Sequence, residues 1–537
     1  MLTKATSKPE CESAMKAELV ENPENFENTE INPSKEFFSL CKLSYTFSRE
    51  GKTFDKKQAR TLETKMHKLY YKVLNSGNAE IDNIVTLAQM YYNVSEVYVE
   101  SNGKEKQQIA TNSILRSLNL IKDKELNRKT ILLALDVYNL LGYIYHKQKK
   151  TEKAIQAFDK VVELYLMYIK GKDKYGTPLD LENIFFKSLE KLNSYVKLAK
   201  TYLAVLRTLV RMHSTIGTMN KFIICSHMLL AAEFNKSLTV EEYINWMKTA
   251  MLLSDLFLMS RRFTEARNHL IVASFVKRHF IDVKYYNICQ KLELSLEEPV
   301  SREQHIIAST LVAVHWVKYG IALLDTSATQ LQLLEKNPTY ERSSLESKYP
   351  TKSQKHAPQK LLLLTEIQEE FSITDEYAPF KDKYLSDYNA AKEVFLYVIK
   401  ILSDMTAHYC LSKDMKLCAT IALCTSNAYK YMACYEQDLT SQDILQSRRR
   451  DILLEAINII FSNNNNSNDN NNNNRNELRH LRLQLAIAYS SLINIKLENL
   501  ETINVQNTEQ RYNIIIDEIN DLVKAGLVNL QIYMCHE

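Results

Sequence analysis

Along most of this chain apolar residues recur every three to four positions, the spacing of helices that each bury one face. One stretch carries the pattern most fully: DVYNLLGYIYHKQKKTEKAIQAFDKVVELY, residues 136–165. Leu141 and Tyr145 fall four apart on one helix, Ala154 and Phe158 four apart on the next, and a short basic turn joins them. With Tyr138 and Gly142, these positions match the W-x2-L-G-x2-Y … A-x3-F spacing of a tetratricopeptide repeat, with Tyr for Trp and no closing Pro. Gly142 and Ala154 are small where the two helices would cross, and the aromatics fill the space beside them. One such hairpin cannot bury its apolar face alone, so it predicts neighbours stacked on both sides.

A second copy lies at 246–274, WMKTAMLLSDLFLMSRRFTEARNHLIVAS. Here Leu253, Phe257, Ala266, Leu270 and Ala273 take the repeat positions, and Ser254 stands where Gly142 stood. A capping box, Thr239-x-x-Glu242, opens it. Helical spacing also runs through 36–76, through a pair at 81–121 split at Ser101-Asn102-Gly103, and through two or three long helices at 180–235. The stretch Gly171–Pro178 reads as a loop. A second box, Ser301-x-x-Gln304, is expected to open a helix whose stripe is Ile307, Leu311, Val314 and Ile321.

Polar breaks in this pattern set the expected organisation. Residues 1–35 are polar and acidic and read as a disordered tail, ahead of a solenoid over 36–325. Residues 326–385 contain NPTYERSSLESKYPTKSQKHAPQK and read as a linker, bridged by a short helix from Leu361 to Phe371. A second helical half is expected over 386–537. It is interrupted at 463–476, where eleven of fourteen residues are Asn, by a solvated loop. The predicted class is all-α: an α-solenoid of tetratricopeptide-like hairpins in two halves joined by a linker.

Composition sharpens this. Nine Gly and nine Pro in 537 residues are too few for a chain of tight turns, and fit long helices with short connections. The 68 basic and 64 acidic residues leave a formal charge of +4, which gives no reason to expect nucleic acid as a partner. The nine cysteines are dispersed, without a C-x-x-C pair, as in reduced intracellular proteins. No run of 18 apolar residues and no apolar leader stand out, so insertion into a membrane is not expected and the cytoplasm is.

Catalytic and cofactor motifs are absent: no G-x-x-x-x-G-K-[ST], G-x-G-x-x-G, H-E-x-x-H or G-x-S-x-G occurs. His146 and the other histidines are isolated, and Cys418 and Cys424 lie six apart with no His at zinc spacing. Arg448–Arg450 reads as a solvated helix start or a bridge to an acidic helix. No enzyme, metal or cofactor is therefore expected. Stacked hairpins instead supply a concave groove suited to a helical protein segment. The faces opposite Leu141/Tyr145 and Leu253/Phe257 place Asp136, Asn139, Tyr143 and His146, then Lys248, Met251, Asp255 and Leu258, towards that groove. The alternative ligand for such a groove is a C-terminal peptide held in a chaperone-type carboxylate clamp.

The runs NLLGYIYHKQKKTEKAIQAFDKVVELYLMYIKG and YINWMKTAMLLSDLFLMSRRFTEARNHLIVASFV resemble the paired repeats of the KIF-binding protein family. So do Tyr435-Glu436, the basic Arg448–Arg450 and the helix with Ala486, Ala488 and Tyr489, in that order, within a resemblance spanning roughly 130–535. The resemblance implies a monomeric, cytoskeleton-associated, non-enzymatic protein that binds kinesin motor domains at their microtubule-facing surface. Such binding would regulate transport and axonal microtubule organisation. A motor's microtubule-facing surface is basic, so an acidic groove is expected, which the net charge does not display. The Asn-rich run and an ending near His536, short of the family's final helices, depart from the pattern.

Overall fold

The computed structural model describes residues 31–51, 55–76, 79–100, 103–186, 193–234, 238–289, 298–336, 361–364, 380–409, 415–465, 473–502 and 509–534. Every regular element among the described residues is a helix, and the fold is an all-α solenoid. The expected tail lies outside them except for Ile31–Ser34 and Lys35, which opens the first helix. That segment buries Ile31 and hydrogen-bonds Asp82 and Asn83 through the amides of Asn32 and Ser34.

The chain divides into two compact units, Met1–Cys225 and Ser226–Glu537. The first holds the hairpins α1 (Lys35–Glu50) with α2 (Lys56–Asn75), α3 (Ile81–Val99) with α4 (Lys104–Ile121), and α5 (Ile131–Lys147) with α6 (Thr151–Lys170). Two short helices follow, α7 (Lys172–Tyr175) and α8 (Leu181–Phe186), then α9 (Ser194–Ile216); α10 (Met219–Phe234) crosses the unit boundary. The loop expected over Gly171–Pro178 is therefore partly a helical turn. The long helices expected from residue 180 begin instead with the six-residue α8. One core runs through the unit, joining Phe37, Leu62, Met90, Leu135, Phe158 and Val205.

The α5–α6 hairpin owes its closeness to Gly142. A Cβ built there would lie 2.6 Å from the Phe158 ring, so only glycine admits that aromatic. Its turn is a Schellman motif. Lys149 takes a left-handed φ of 59°, and the Lys150 amide donates back to the Tyr145 carbonyl at 2.9 Å. The second unit repeats this turn in α11 (Val240–Met259) and α12 (Phe263–Val276). Arg261 sits at a φ of 57°, and Arg262 N–H donates to the Phe257 carbonyl at 2.9 Å. Ser254, in the place of Gly142, donates its hydroxyl to the Ala266 carbonyl at 3.0 Å, so the contact between helices becomes a hydrogen bond. The capping box forms as expected: Thr239 N–H donates to Glu242 at 2.7 Å, and Glu242 N–H to Thr239 Oγ1 at 3.3 Å.

A π-helical segment, Lys277–Asp282, then leads through α13 (Val283–Cys289) to α14 (Glu298–Lys336). Ser301 lies inside α14 and does not open it. The core face is also rotated from the expected stripe: Ile307 is exposed, whereas Ala308, Val312, Trp316, Tyr319 and Leu323 are buried. Arg302–Leu333 is long and apolar enough to cross a bilayer by length and composition alone. In this fold it is the central packing helix of its unit, touching α11, α12, α15 (Tyr388–Tyr409) and α16 (Met415–Ala433).

The α14–α15 pair is a third repeat, which sequence reading missed. Trp316, Tyr319, Gly320 and Leu323 stand at the W-x2-L-G-x2-Y spacing, and Ala391 and Phe395 at A-x3-F. A Cβ on Gly320 would meet Val398 at 2.5 Å and Phe380 at 2.6 Å. In place of a short turn, residues 337–387 separate the two helices, which disguises the repeat.

Part of the expected linker is thus core. Phe380 stacks on Trp316 with centroids 5.3 Å apart, Tyr319 donates to the Lys381 carbonyl at 2.8 Å, and Asn268 bonds both backbone groups of buried Leu363. This docking places the described part of the expected linker within the second unit. Residues 361–364 are not helical, and the remainder of the expected Leu361–Phe371 helix lies outside the described residues.

Helices α17 (Leu439–Asn465), α18 (Asn473–Thr502) and α19 (Glu509–Met534) complete the unit around Leu453, Ile457, Leu481 and Leu485. The helices enter the Asn-rich run from both sides, leaving 466–472 outside the described residues. Arg448–Arg450 lies within α17, not at its start. Arg449 is buried, donating to Ser426 and Gln446 at 3.2 Å each, both neutral partners.

Candidate partner-binding groove

Stacked hairpins line one face of a solenoid with a row of adjacent helices; here α1 packs on α3, α3 on α5 and α5 on α9. Asp136 on α5 accepts a hydrogen bond from Thr201 on α9 at 3.0 Å. Glu96 on α3 accepts from Ser48 on α1 at 2.7 Å, and the Arg49 guanidinium reaches back to Tyr45 Oη at 2.8 Å. Tyr92, one turn from Glu96, lies on the same side of α3.

These groups share one electrostatic environment. Burial pushes the Asp136 carboxyl up to about 7; the Thr201 bond and Lys197 oppose that rise, while Glu182 and Glu96 add to it. Desolvation likewise raises Glu182, with Asp180 and Glu96 contributing and Lys197 and Arg49 counteracting. The Tyr92 phenol is held well above its usual range by burial and then by Asp136, Glu96 and Glu182. Aromatic rings and carboxyl groups thus converge on this face together with the cations Lys197 and Arg49.

An internal segment already lies on this face. From α8, Phe186 stacks on Tyr45 with centroids 3.9 Å apart and planes at 8°, and Phe185 meets Phe38 edge-on at 5.4 Å. The segment is pinned at its start. Leu179 N–H donates to the Arg128 carbonyl at 2.8 Å, Asp180 pairs with Lys197 and caps α8, and Leu181 is buried.

The predicted groove residues separate accordingly. Asp136 belongs to the inner face, where it is half-buried and bonded by Thr201 of α9. Asn139 is half-buried. Tyr143 and His146 are exposed, the Tyr143 hydroxyl bonding Glu100 at 3.0 Å beside the Lys147–Glu100 ion pair. In the second unit, Lys248 is exposed and Leu258 half-buried. Met251 is not a groove residue: it is 1% exposed and belongs to the core, because α11 is packed on more than one side. Asp255 is taken by α14, pairing with Lys318 at 2.9 Å and lying 3.7 Å from His315.

Sequence reading missed Tyr45, Tyr92, Glu96, Glu182, Phe185 and Phe186. The i,i+4 pair Tyr92/Glu96 was a usable signal; nothing local marked α8 as lying on the face. The signature residues Leu141, Gly142, Ala154, Phe158, Leu253, Phe257, Ala266 and Leu270 are all buried, and Tyr138 and Tyr145 are partly so. Among the described residues, no group of three or more His, Cys, Asp or Glu is placed to hold a metal ion.

Comparison with known proteins bears on what this fold is. The family model described as "KIF-1 binding protein C terminal" matches residues 244–535, more than half of the chain. The chain belongs to the KIF-binding protein family. A tetratricopeptide-repeat model matches 135–165, the α5–α6 hairpin. The KIF-binding protein of Danio rerio is 20% identical over 98% of this chain and 82% of its own length. That of Drosophila melanogaster is 22% identical over 70% of this chain and 60% of its own length, and the Homo sapiens protein 20% over 78% and 65%. A solved "circular tandem repeat protein with novel repeat topology and enhanced subunit contact surfaces" covers 92% of this chain and 96% of that one, at 12% identity and a TM-score of 0.20. So low a score adds nothing to the fold argument.

Proposed function

We propose that this chain is a non-enzymatic regulator that binds kinesin motor domains and controls their attachment to microtubules, and through it microtubule-based transport and axonal microtubule organisation. The observation that carries this reading is the inner face of the first unit, where Tyr45, Tyr92, Glu96, Asp136 and Glu182 gather. A surface that binds an acidic microtubule is basic, and an aromatic, acidic groove is its electrostatic complement. Membership in the KIF-binding protein family supports the same partner. On this reading the protein acts in the cytoplasm, as a monomer, alongside the cytoskeleton. A carboxylate clamp fits less well, because this face would repel a C-terminal carboxylate.

The test is direct binding to a panel of purified kinesin motor domains, followed by microtubule co-pelleting. Motor should leave the pellet as the protein is added, and Glu96→Lys, at an exposed position, should weaken binding about tenfold at low salt. Motor domains that stay in the pellet, with none bound to the chain, would sink the reading.

A further inference from the structure

We propose that the first unit carries a second binding site, between α2 and α4, for a phosphate monoester on an acidic protein segment, with Arg116 and His67 at its seat and the cations of α2 as its rim. The site goes beyond the function given above and is tested without a kinesin.

Three helices bring the seat together. The Arg116 guanidinium of α4 lies 5.9 Å from the ring of Tyr70 on α2 and 5.8 Å from that of Tyr91 on α3. Tyr70 meets Tyr91 edge-on at 5.7 Å, Tyr71 meets Tyr70 at 5.8 Å, and His67 meets Tyr71 at 5.1 Å. Asn119 of α4 donates to Tyr70 Oη at 2.8 Å, which ties α4 to α2. The result is a wall of rings around one cation.

What the wall lacks is an acceptor. Tyr91 is 3% exposed, and among the described residues neither its hydroxyl nor His67 Nδ1 has a hydrogen-bond partner. Burial pushes the Tyr91 phenol up to about 12 against the opposing effect of Arg116, and burial and then Arg116 lower His67. No carboxylate among the described residues acts on either group, and none pairs with Arg116. Buried polar atoms are paired as a rule, so two open ones beside an unpaired guanidinium mark a site for an oxyanion. Arg116 and His67 are half-buried and Tyr71 is exposed, so an anion can reach them. As the guanidinium turns to it, the Tyr91 hydroxyl becomes a further donor.

The rim identifies what carries the anion. Helix α2 holds six Lys or Arg and a single acid, Glu63, which accepts from Tyr98 at 3.0 Å. Arg60, Lys65 and Lys68 are exposed, and none of them has an ion-pair partner among the described residues. A face of one sign draws in an acidic segment and repels basic ones. The ring wall suits an aromatic stem, so phosphotyrosine is the form that uses the whole site, with its phosphate on Arg116 and His67 and its ring against Tyr71. A bilayer would use the rim alone.

The experiment reads fluorescence anisotropy of a labelled peptide, phosphotyrosine between two runs of glutamate, titrated with the full-length chain at low salt. The phosphopeptide should bind about tenfold tighter than its unphosphorylated twin. Arg116→Gln should abolish that difference and leave the weak affinity of the twin. Lys65→Glu with Lys68→Glu should instead weaken both peptides alike, and added salt should do the same. Arg116 carries no ion pair, so its replacement leaves no charge unmatched; if R116Q still melts early, H67Q takes its place. Equal affinity for the two peptides, or a phosphate preference that survives both R116Q and H67Q, overturns the proposal. So does inorganic phosphate that binds as tightly as the phosphopeptide, which would make the seat a free-ion site. Vesicles of anionic lipid that bind more tightly than the phosphopeptide, and equally well to R116Q, would assign the rim to a membrane and overturn it as well.

Discussion

Gly142 carries much of the first repeat because a methyl group there would collide with Phe158. Gly142→Ala should destabilise the chain by about 1–3 kcal/mol, read as a lower urea midpoint. Lys149 and Arg261 are the opposite case: each bears a side chain in the left-handed region. Lys149→Gly should raise stability by about 0.5–1 kcal/mol in the same assay. Asp136 makes stability depend on pH. Its folded value of about 7 lies above the ordinary carboxylate value near 4, so the folded chain holds the proton more tightly than the unfolded chain. That contribution is complete below about pH 4 and is lost as the pH climbs through 7. Asp136→Asn should therefore melt higher than the unaltered chain at pH 8, by about 1–3 kcal/mol, with the difference vanishing at pH 4. Signature residues such as Leu141 and Phe158 were legible because their roles follow from spacing within a single hairpin. The fate of Met251 and Asp255 was not, since it depends on which later helices cover α11, and periodicity says nothing of that.

At the scale of elements, the two repeats solve one geometry in two ways: α5 approaches α6 through a bare glycine, and α11 approaches α12 through a hydroxyl bonded to the opposing backbone. Ser254→Ala removes that bond and leaves the Ala266 carbonyl short of a donor. The expected loss is about 1–2 kcal/mol by denaturant titration, whereas Ser254→Gly should recover part of it if the helices close up. Helices and capping boxes were legible wherever the pattern was local and long. Short or interrupted elements were not: α8 is held by rings on distant helices, and the third repeat is divided by residues 337–387.

For the whole molecule, stacked hairpins answer mainly to their neighbours, so a lesion should remain local. Gly142→Ala is expected to speed amide exchange across α3–α6 in the first unit while leaving α17–α19 in the second unchanged, as read by mass spectrometry. Net charge says nothing of the groove for a related reason, because a sum over 537 residues averages away the sign of any one face.

The divided α14–α15 hairpin also bears on how the chain reaches its native state. In the first repeat the closing contact joins residues 16 apart, Gly142 and Phe158, whereas Tyr319 must find Lys381 across 62. Two doublings of loop length add about 1 kcal/mol of closure entropy, which is spent before the rings around Trp316 and Phe380 reward it. Refolding should accordingly show a late phase in Trp316 fluorescence, isolated with Trp246→Phe, and shortening the chain within 340–358 should accelerate that phase alone.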